Sequence, residues 1–155
     1  IIAAGAPESL ARCQPLFEVL GRQVFVVGGE PGQANAVKIA RNFLLSTVIE
    51  GLGEAMALAR GTGVPPQRFL DIITGTSLNA PAYRNYGKLM VEGRYDPAQF
   101  TMALGLKDVE LALATAREAG VPLPSAELVR RHLLAAIDKG DGARDWAAVS
   151  GYSKT

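Results

Sequence analysis

Two polar residues stand four positions apart in an otherwise apolar stretch, Lys38 and Asn42, with only Arg41 breaking the run of Val37, Ile39, Ala40, Phe43, Leu44 and Leu45. On a helix, positions i and i+4 share a face one turn apart. A lysine so surrounded is expected to be partly desolvated, and desolvation favours the neutral amine over the ammonium. Such a lysine can give and take a proton near neutral pH. Asn42 can hold a substrate oxygen or orient the ammonium. The bland alternative is a lysine snorkelling off its helix with an asparagine beside it.

A second pair, Lys107-Asp108, interrupts the apolar series Leu104, Leu106, Val109, Leu111 and Leu113. Adjacent helical residues do not face each other, so the two are expected to have different partners. A solvated face or a local ion pair is the plain reading. Weaker candidates follow. His132 follows Arg130-Arg131 with no second His and no Cys/His cluster, so no metal site is expected. Cys13 falls at a core-type position with no basic partner and reads as an inert buried thiol. Ser77 and Ser125 lack a G-x-S-x-G context. The segment Gly28-Gly29-Glu30-Pro31-Gly32 is glycine-rich, but its proline and acid argue against a phosphate cradle, and it reads as an interdomain hinge. The sequence contains no G-x-G-x-x-G.

The elements that must position these residues fall into two parts. Ile1 to Ala4 reads as the end of a buried strand. Pro7-Glu8-Ser9 opens a helix with Leu10, Cys13, Leu16, Phe17 and Leu20 at helical spacing, closed by Gly21 as a C′ glycine. Gln23 to Val27 reads as a strand between glycines. This is β-α-β, the grammar of a parallel sheet. Two strands and one helix make no stable sheet domain alone, so most of a sheet domain is expected to be missing on the N-terminal side.

From residue 32 the strand signal disappears. Gln33 to about Arg60 contains no proline and is apolar nearly all round, which predicts a long helix buried on several sides. Roughly 28 residues at ~1.5 Å each span about 42 Å. Gly51 and Gly53 are costly inside it and are expected to serve close packing. Gly61, Gly63 and Pro65-Pro66 stop it. Further helices are predicted over 66–73, 77–91 (limited by Pro81), 101–119 and 125–139, the last with Ser125 as N-cap and Gly140 as stop. A short turn over 145–149 ends the pattern. No internal repeat or low-complexity segment is present.

The chain has 155 residues, 16 Lys+Arg against 15 Asp+Glu, and a formal net charge of +1, which gives no electrostatic reason to expect nucleic acid. With 48% hydrophobic and 20% charged residues a real core can be buried. One cysteine excludes an internal disulfide. No apolar run approaches the ~18 residues of a membrane span, and the apolar start lacks the basic segment of a signal peptide. A cytoplasmic protein is the default expectation. The sequence begins without Met and inside an apolar run, as a fragment or processed product would.

In order, these features resemble the β-hydroxyacid dehydrogenase family, the group of 3-hydroxyisobutyrate dehydrogenase and tartronate semialdehyde reductase. The carriers are Val27-Gly28-Gly29, Pro31-Gly32-Gln33-Ala34, Lys38 and Asn42, Glu54-Ala55, Gly63-Val64, Phe100, Lys107-Asp108-Val109 and Gly120-Val121-Pro122-Leu123-Pro124. The most specific part is K-x-x-x-N on a long helix, joined at the right distance to F-x6-K-D.

The resemblance implies a mainly α chain. It would be the all-helical C-terminal domain of a 6-phosphogluconate-dehydrogenase-like two-domain enzyme (residues 32–155), preceded by a β-α-β remnant of a Rossmann domain (residues 1–31). It implies NAD or NADP as cofactor and a small 3-hydroxy acid as substrate, oxidised to its semialdehyde or the reverse. Lys38 matches the catalytic lysine, Asn42 the substrate-binding asparagine, and Phe100 an aromatic wall of the substrate cleft. Lys107 matches a lysine closing over the nicotinamide end, and Asp108 its structural neighbour. A homodimer or higher homo-oligomer through the helical domain is implied as well. The dinucleotide fingerprint and the family's upstream substrate-carboxylate loop are absent, so this chain alone is expected neither to bind the dinucleotide tightly nor to turn over. Two other readings stand beside this one: a non-catalytic helical assembly or recognition module of the same fold, and an imine reductase relative. Members of both groups tend to lack the lysine present here as Lys38.

Overall fold

A single 30-residue helix, α2 (Gly32–Gly61), dominates the structure, a computed structural model that describes residues 1–152. It runs unbroken because no proline interrupts it. At its C-terminal end the backbone turns through Gly63, whose φ of +88° suits only glycine at low cost. Before it come β1 (Ile2–Ala4), α1 (Pro7–Leu20) and β2 (Phe25–Gly28); after it come α3 (Pro66–Thr74), α4 (Pro81–Glu92), α5 (Met102–Glu118), α6 (Pro124–Asp138) and a 3₁₀ segment, Trp146–Tyr152. None of the described helices is long and apolar enough to cross a membrane. The chain divides into two compact units, Ile1–Asn42 and the part from Phe43 onward.

In the first unit β1 and β2 pair in parallel, Ile2 opposite Phe25 and Ala3 opposite Val26. This is the expected β-α-β piece. The apolar positions of α1 are not covered: no residue of the helix is buried, and Val19 and Leu20 are 86% and 77% exposed. Two short strands offer too little surface to cover a 14-residue helix. Cys13 is accordingly half-buried rather than a buried thiol. Gly21 ends the helix in an extended conformation, φ −142°, not as a left-handed C′ residue.

In the second unit α2 buries one stripe, with Ser46, Ile49, Glu50, Leu52, Gly53 and Met56, while Leu44 and Leu58 are exposed. The expected all-round burial is therefore not what its neighbours within this chain provide. Gly53 serves close packing, since a Cβ there would lie 1.9 Å from Ser150 Oγ; nothing lies near Gly51. The core joins Ile49 to Met102, Val109, Leu113, Val129, Leu133, Trp146 and Val149. A second cluster gathers Leu52, Met56 and Leu70.

Two helix starts differ from expectation, and both turn on proline. Helix α4 begins at Pro81 rather than Ser77, and α6 at Pro124 with Leu123 in the N-cap position rather than Ser125. A proline at N1 already has helical φ and needs no hydrogen-bond partner for a missing N–H.

The 3₁₀ segment is tied to the loop before α5 by Asp145, which is 1% exposed. Its Oδ2 accepts from the backbone N–H of Gln99 (2.8 Å) and Phe100 (3.2 Å), and its Oδ1 from Ala147 N–H (2.9 Å). Its own N–H donates to Tyr95 O (2.9 Å), and Thr101 and Asp145 form an isolated antiparallel bridge. Asp145→Ala removes the acceptor for three backbone donors, each costing ~1–3 kcal/mol when buried without a partner. Chemical denaturation is expected to show a loss of about 3 kcal/mol or more, and a smaller loss for Asp145→Asn, which keeps an acceptor oxygen.

Candidate functional site

The junction of β2 with α2 sets which face of the long helix Lys38 and Asn42 present. Gln33, in its first turn, folds back so that its Oε1 accepts from Glu30 N–H (3.1 Å), while Gln33 N–H donates to Glu30 O (3.0 Å). The Gln33 side chain occupies the space beside Gly28, where a Cβ would lie 1.8 Å from its Oε1. The glycine-rich turn is thus closed by its own hydrogen bonds.

Lys38 and Asn42 lie one turn apart on α2, as their spacing predicts. Lys38 is exposed and Asn42 half-buried. The expected desolvation of Lys38 is therefore corrected: side chains four positions away on the same helix cannot by themselves dry an extended ammonium. Asn42 Oδ1 accepts a hydrogen bond from Arg41 Nη1 (3.1 Å).

The remaining predicted site residues lie in the second unit. Phe100 is half-buried, its ring 4.7 Å from that of Trp146 and tilted by 59°, and its N–H is held by Asp145. Thr101 caps α5, its Oγ1 accepting from Leu104 N–H (3.3 Å). Lys107 is exposed on α5, whereas Asp108, next in sequence, is 7% exposed. The two side chains differ in burial, in keeping with the divergence of adjacent helical positions.

Whether these residues fit a dinucleotide can be tested at the end of the sheet. In parallel sheets ligands bind beyond the carboxyl ends of the strands. Here those ends carry glycines joined by Gly5 N–H to Gly28 O (3.0 Å). Gly5 has φ +150°, and no atom lies within 4 Å of where its Cβ would be. Gly5 is nevertheless buried, and the Gln33 side chain fills the space beside Gly28. The described residues supply no phosphate-cradling fingerprint.

Sequence reasoning missed the most buried charged contact. Glu50 of α2 and His132 of α6 meet with Nδ1···Oε1 2.9 Å, their side chains 4% and 7% exposed. Burial pushes the Glu50 carboxyl above the usual carboxylate range; His132 pulls it back by charge and by hydrogen bond, and nearby Glu54 pushes it up. Glu50 Oε2 is buried with no hydrogen-bond partner among the described residues. The signal was present: Glu50 falls on the buried stripe of α2, and His132 between Val129 and Leu133 on that of α6.

A family model described as the NAD-binding part of NADP-dependent 3-hydroxyisobutyrate dehydrogenase matches residues 32–152. The chain belongs to that family. It is 43% identical over 149 residues to an uncharacterized oxidoreductase, YfjR, of Bacillus subtilis (strain 168), covering 96% of this chain and 52% of that protein. It is 31% identical to the L-threonate dehydrogenase of Escherichia coli (strain K12), covering 96% and 49%. Among solved structures, the 3-hydroxyisobutyrate dehydrogenase from Salmonella typhimurium superposes with a TM-score of 0.87 at 28% identity, over 96% of this chain and 52% of that one. The chain spans about half the length of the curated relatives it matches.

Two stability outcomes follow from the buried pair. His132→Ala leaves a buried carboxylate uncompensated and is expected to cost roughly 3–5 kcal/mol in urea denaturation. A carboxyl raised in the folded state favours folding most below its unfolded value, and that contribution is lost as pH rises through the folded value. Stability of the unmodified protein relative to Glu50→Gln should therefore fall as pH rises above 4.5, the ordinary carboxyl value. Denaturation midpoints of both proteins across that range measure the difference.

Proposed function

We propose that the complete protein containing this chain is an NAD(P)-dependent oxidoreductase that interconverts a small 3-hydroxy acid and its semialdehyde. The observation that carries this is the pairing of Lys38 with Asn42, one turn apart on a helix that leaves the sheet just beyond Gly28, in a chain of this family. On this reading residues 1–31 end the cofactor-binding Rossmann domain and residues 32–155 form the substrate and assembly domain.

A bound nicotinamide supplies the hydride acceptor or donor. The chain supplies proton transfer and orientation. In the oxidation direction the neutral amine of Lys38 takes the substrate's hydroxyl proton at Nζ as the carbon gives up its hydride and the C=O bond forms. In the reduction direction the ammonium returns that proton to the carbonyl oxygen. Asn42 holds the substrate oxygen in line with Nζ. Phe100 walls the substrate cleft, Lys107 covers the nicotinamide end, and Asp108 holds the local structure of α5.

Exposed Leu58 and Ile72, at 71% and 50%, support assembly of the helical domain with a second copy. A cytoplasmic location is part of the same proposal.

In the full-length protein, Lys38→Ala is expected to lower kcat for hydroxy-acid oxidation by about 10²–10⁴-fold, the usual worth of a positioned acid–base group. The readout is nicotinamide absorbance against a panel of 3-hydroxy acids with both cofactors. A folded mutant that keeps its kcat would contradict the assignment. A folded parent with no turnover on any panel member would favour the recognition-module reading.

A further inference from the structure

Arg41 is the third cation-bearing or donor side chain on the face that carries Lys38 and Asn42: the three occupy positions i, i+3 and i+4 of α2, a spacing that groups them over one turn. Arg41 also departs from the default geometry of a helix. Adjacent side chains diverge, yet its guanidinium folds back along the surface so that Nη1 donates to Asn42 Oδ1 at 3.1 Å. An exposed arginine loses considerable rotamer freedom when held in one place. The contact sets the direction of the Asn42 carboxamide, because the oxygen is the end turned towards Arg41.

From Gly32 to Ile49 the helix contains no Asp or Glu. Arg94 lies 3.3 Å from Glu92, Arg130 lies 3.4 Å from Glu110, and Arg144 lies 3.7 Å from both Asp96 and Asp141. Among the described residues Arg41, like several other arginines, has no carboxylate partner; what sets it apart is its place beside Lys38 and Asn42. A guanidinium carries five N–H donors in a planar fork. One is given to Asn42, and the others match the spacing of two oxygens on a carboxylate or phosphate.

We propose that Arg41 is a positioning and specificity residue: it orients Asn42 and selects substrates that bear an anionic oxygen group, a carboxylate or phosphate, within reach of its guanidinium. This rests on the reading of Lys38 and Asn42 given above. It assigns Arg41 no part in proton transfer, which stays with Lys38.

The test uses the full-length protein with Arg41→Gln and Arg41→Lys. For a turned-over hydroxy acid and its methyl ester, Arg41→Gln is expected to reduce the acid-to-ester preference in kcat/KM by about 10- to 100-fold, mostly through KM of the acid, the worth of one charge-assisted contact. Arg41→Lys keeps the charge but not the fork, and should restore part of that preference. A structural role would change acid and ester alike, and that result overturns the proposal, as does an unchanged preference. Calorimetry with malonate and with inorganic phosphate supplies a readout independent of turnover. Binding weaker by about tenfold or more in Arg41→Gln supports the site, and the tighter of the two probes names its anion. Equal binding by both proteins, or by neither, overturns it. A parent that turns over no substrate yet binds malonate through Arg41 would remove the dehydrogenase reading and leave the anion site standing.

Discussion

The helical unit depends on one buried carboxylate. Asp145 is surrounded by backbone donors from two segments 45 or more positions apart in sequence, and it satisfies three of them. Backbone bonds from Trp146 N–H to Phe100 O (2.9 Å) and from Met102 N–H to Arg144 O (2.9 Å) join the same segments, and the Asp145 carboxylate adds the three donors that this short bridge leaves over. The consequences spread in both directions along the chain. Held in place, Phe100 lays its ring on Trp146 and Thr101 caps α5, so Lys107 and Asp108 emerge at fixed positions on that helix. Trp146 in turn closes the core over Met102 and Ile49. Hydrogen bonds to a charged group are worth roughly twice neutral ones, which suits a side chain that reinforces a short backbone bridge between two irregular segments.

Glu50 and His132 place a second polar contact inside the same core, and its energetics differ. Asp145 has partners for both oxygens; Glu50 has a partner for only one. Buried ion pairs seldom exceed an apolar pair of equal volume in stability, because desolvation offsets their attraction. What they do set is registry: His132 Nδ1 finds Glu50 Oε1 only when α2 and α6 are correctly aligned. That alignment fixes the part of α2 that lies in the second unit.

Much of this was legible in residue order. The limits of α2 follow from the lack of proline between Gly32 and Gly61 and from the Gly63 and Pro65-Pro66 punctuation beyond it. The β-α-β piece follows from glycines bounding apolar runs. Errors fell where two local signals competed. The helix expected from Ser77 starts at Pro81, the proline that limited it, and Pro124 rather than the expected cap Ser125 fixes the start of α6. Burial was harder to read than position. Lys38 has apolar neighbours in sequence and yet is exposed, since sequence neighbours on a helix point in different directions. The Glu50–His132 contact joins residues 82 apart, and no local pattern links them. The candidate site was legible as spacing, in K-x-x-x-N, while the fold-back of Arg41 onto Asn42 is a side-chain arrangement that spacing does not specify.

The central claim concerns Nζ of Lys38 and the oxygen that changes hands with it. The most direct measurement is a crystal structure of the complete protein holding its nicotinamide cofactor and an unreactive hydroxy-acid analogue. The account predicts the analogue's reacting oxygen within about 2.6–3.2 Å of Lys38 Nζ, the reach of a general acid or base, with Asn42 on the same oxygen or its neighbour. An analogue bound against the cofactor with that oxygen held by another acid–base group, and Lys38 turned to solvent, would contradict it.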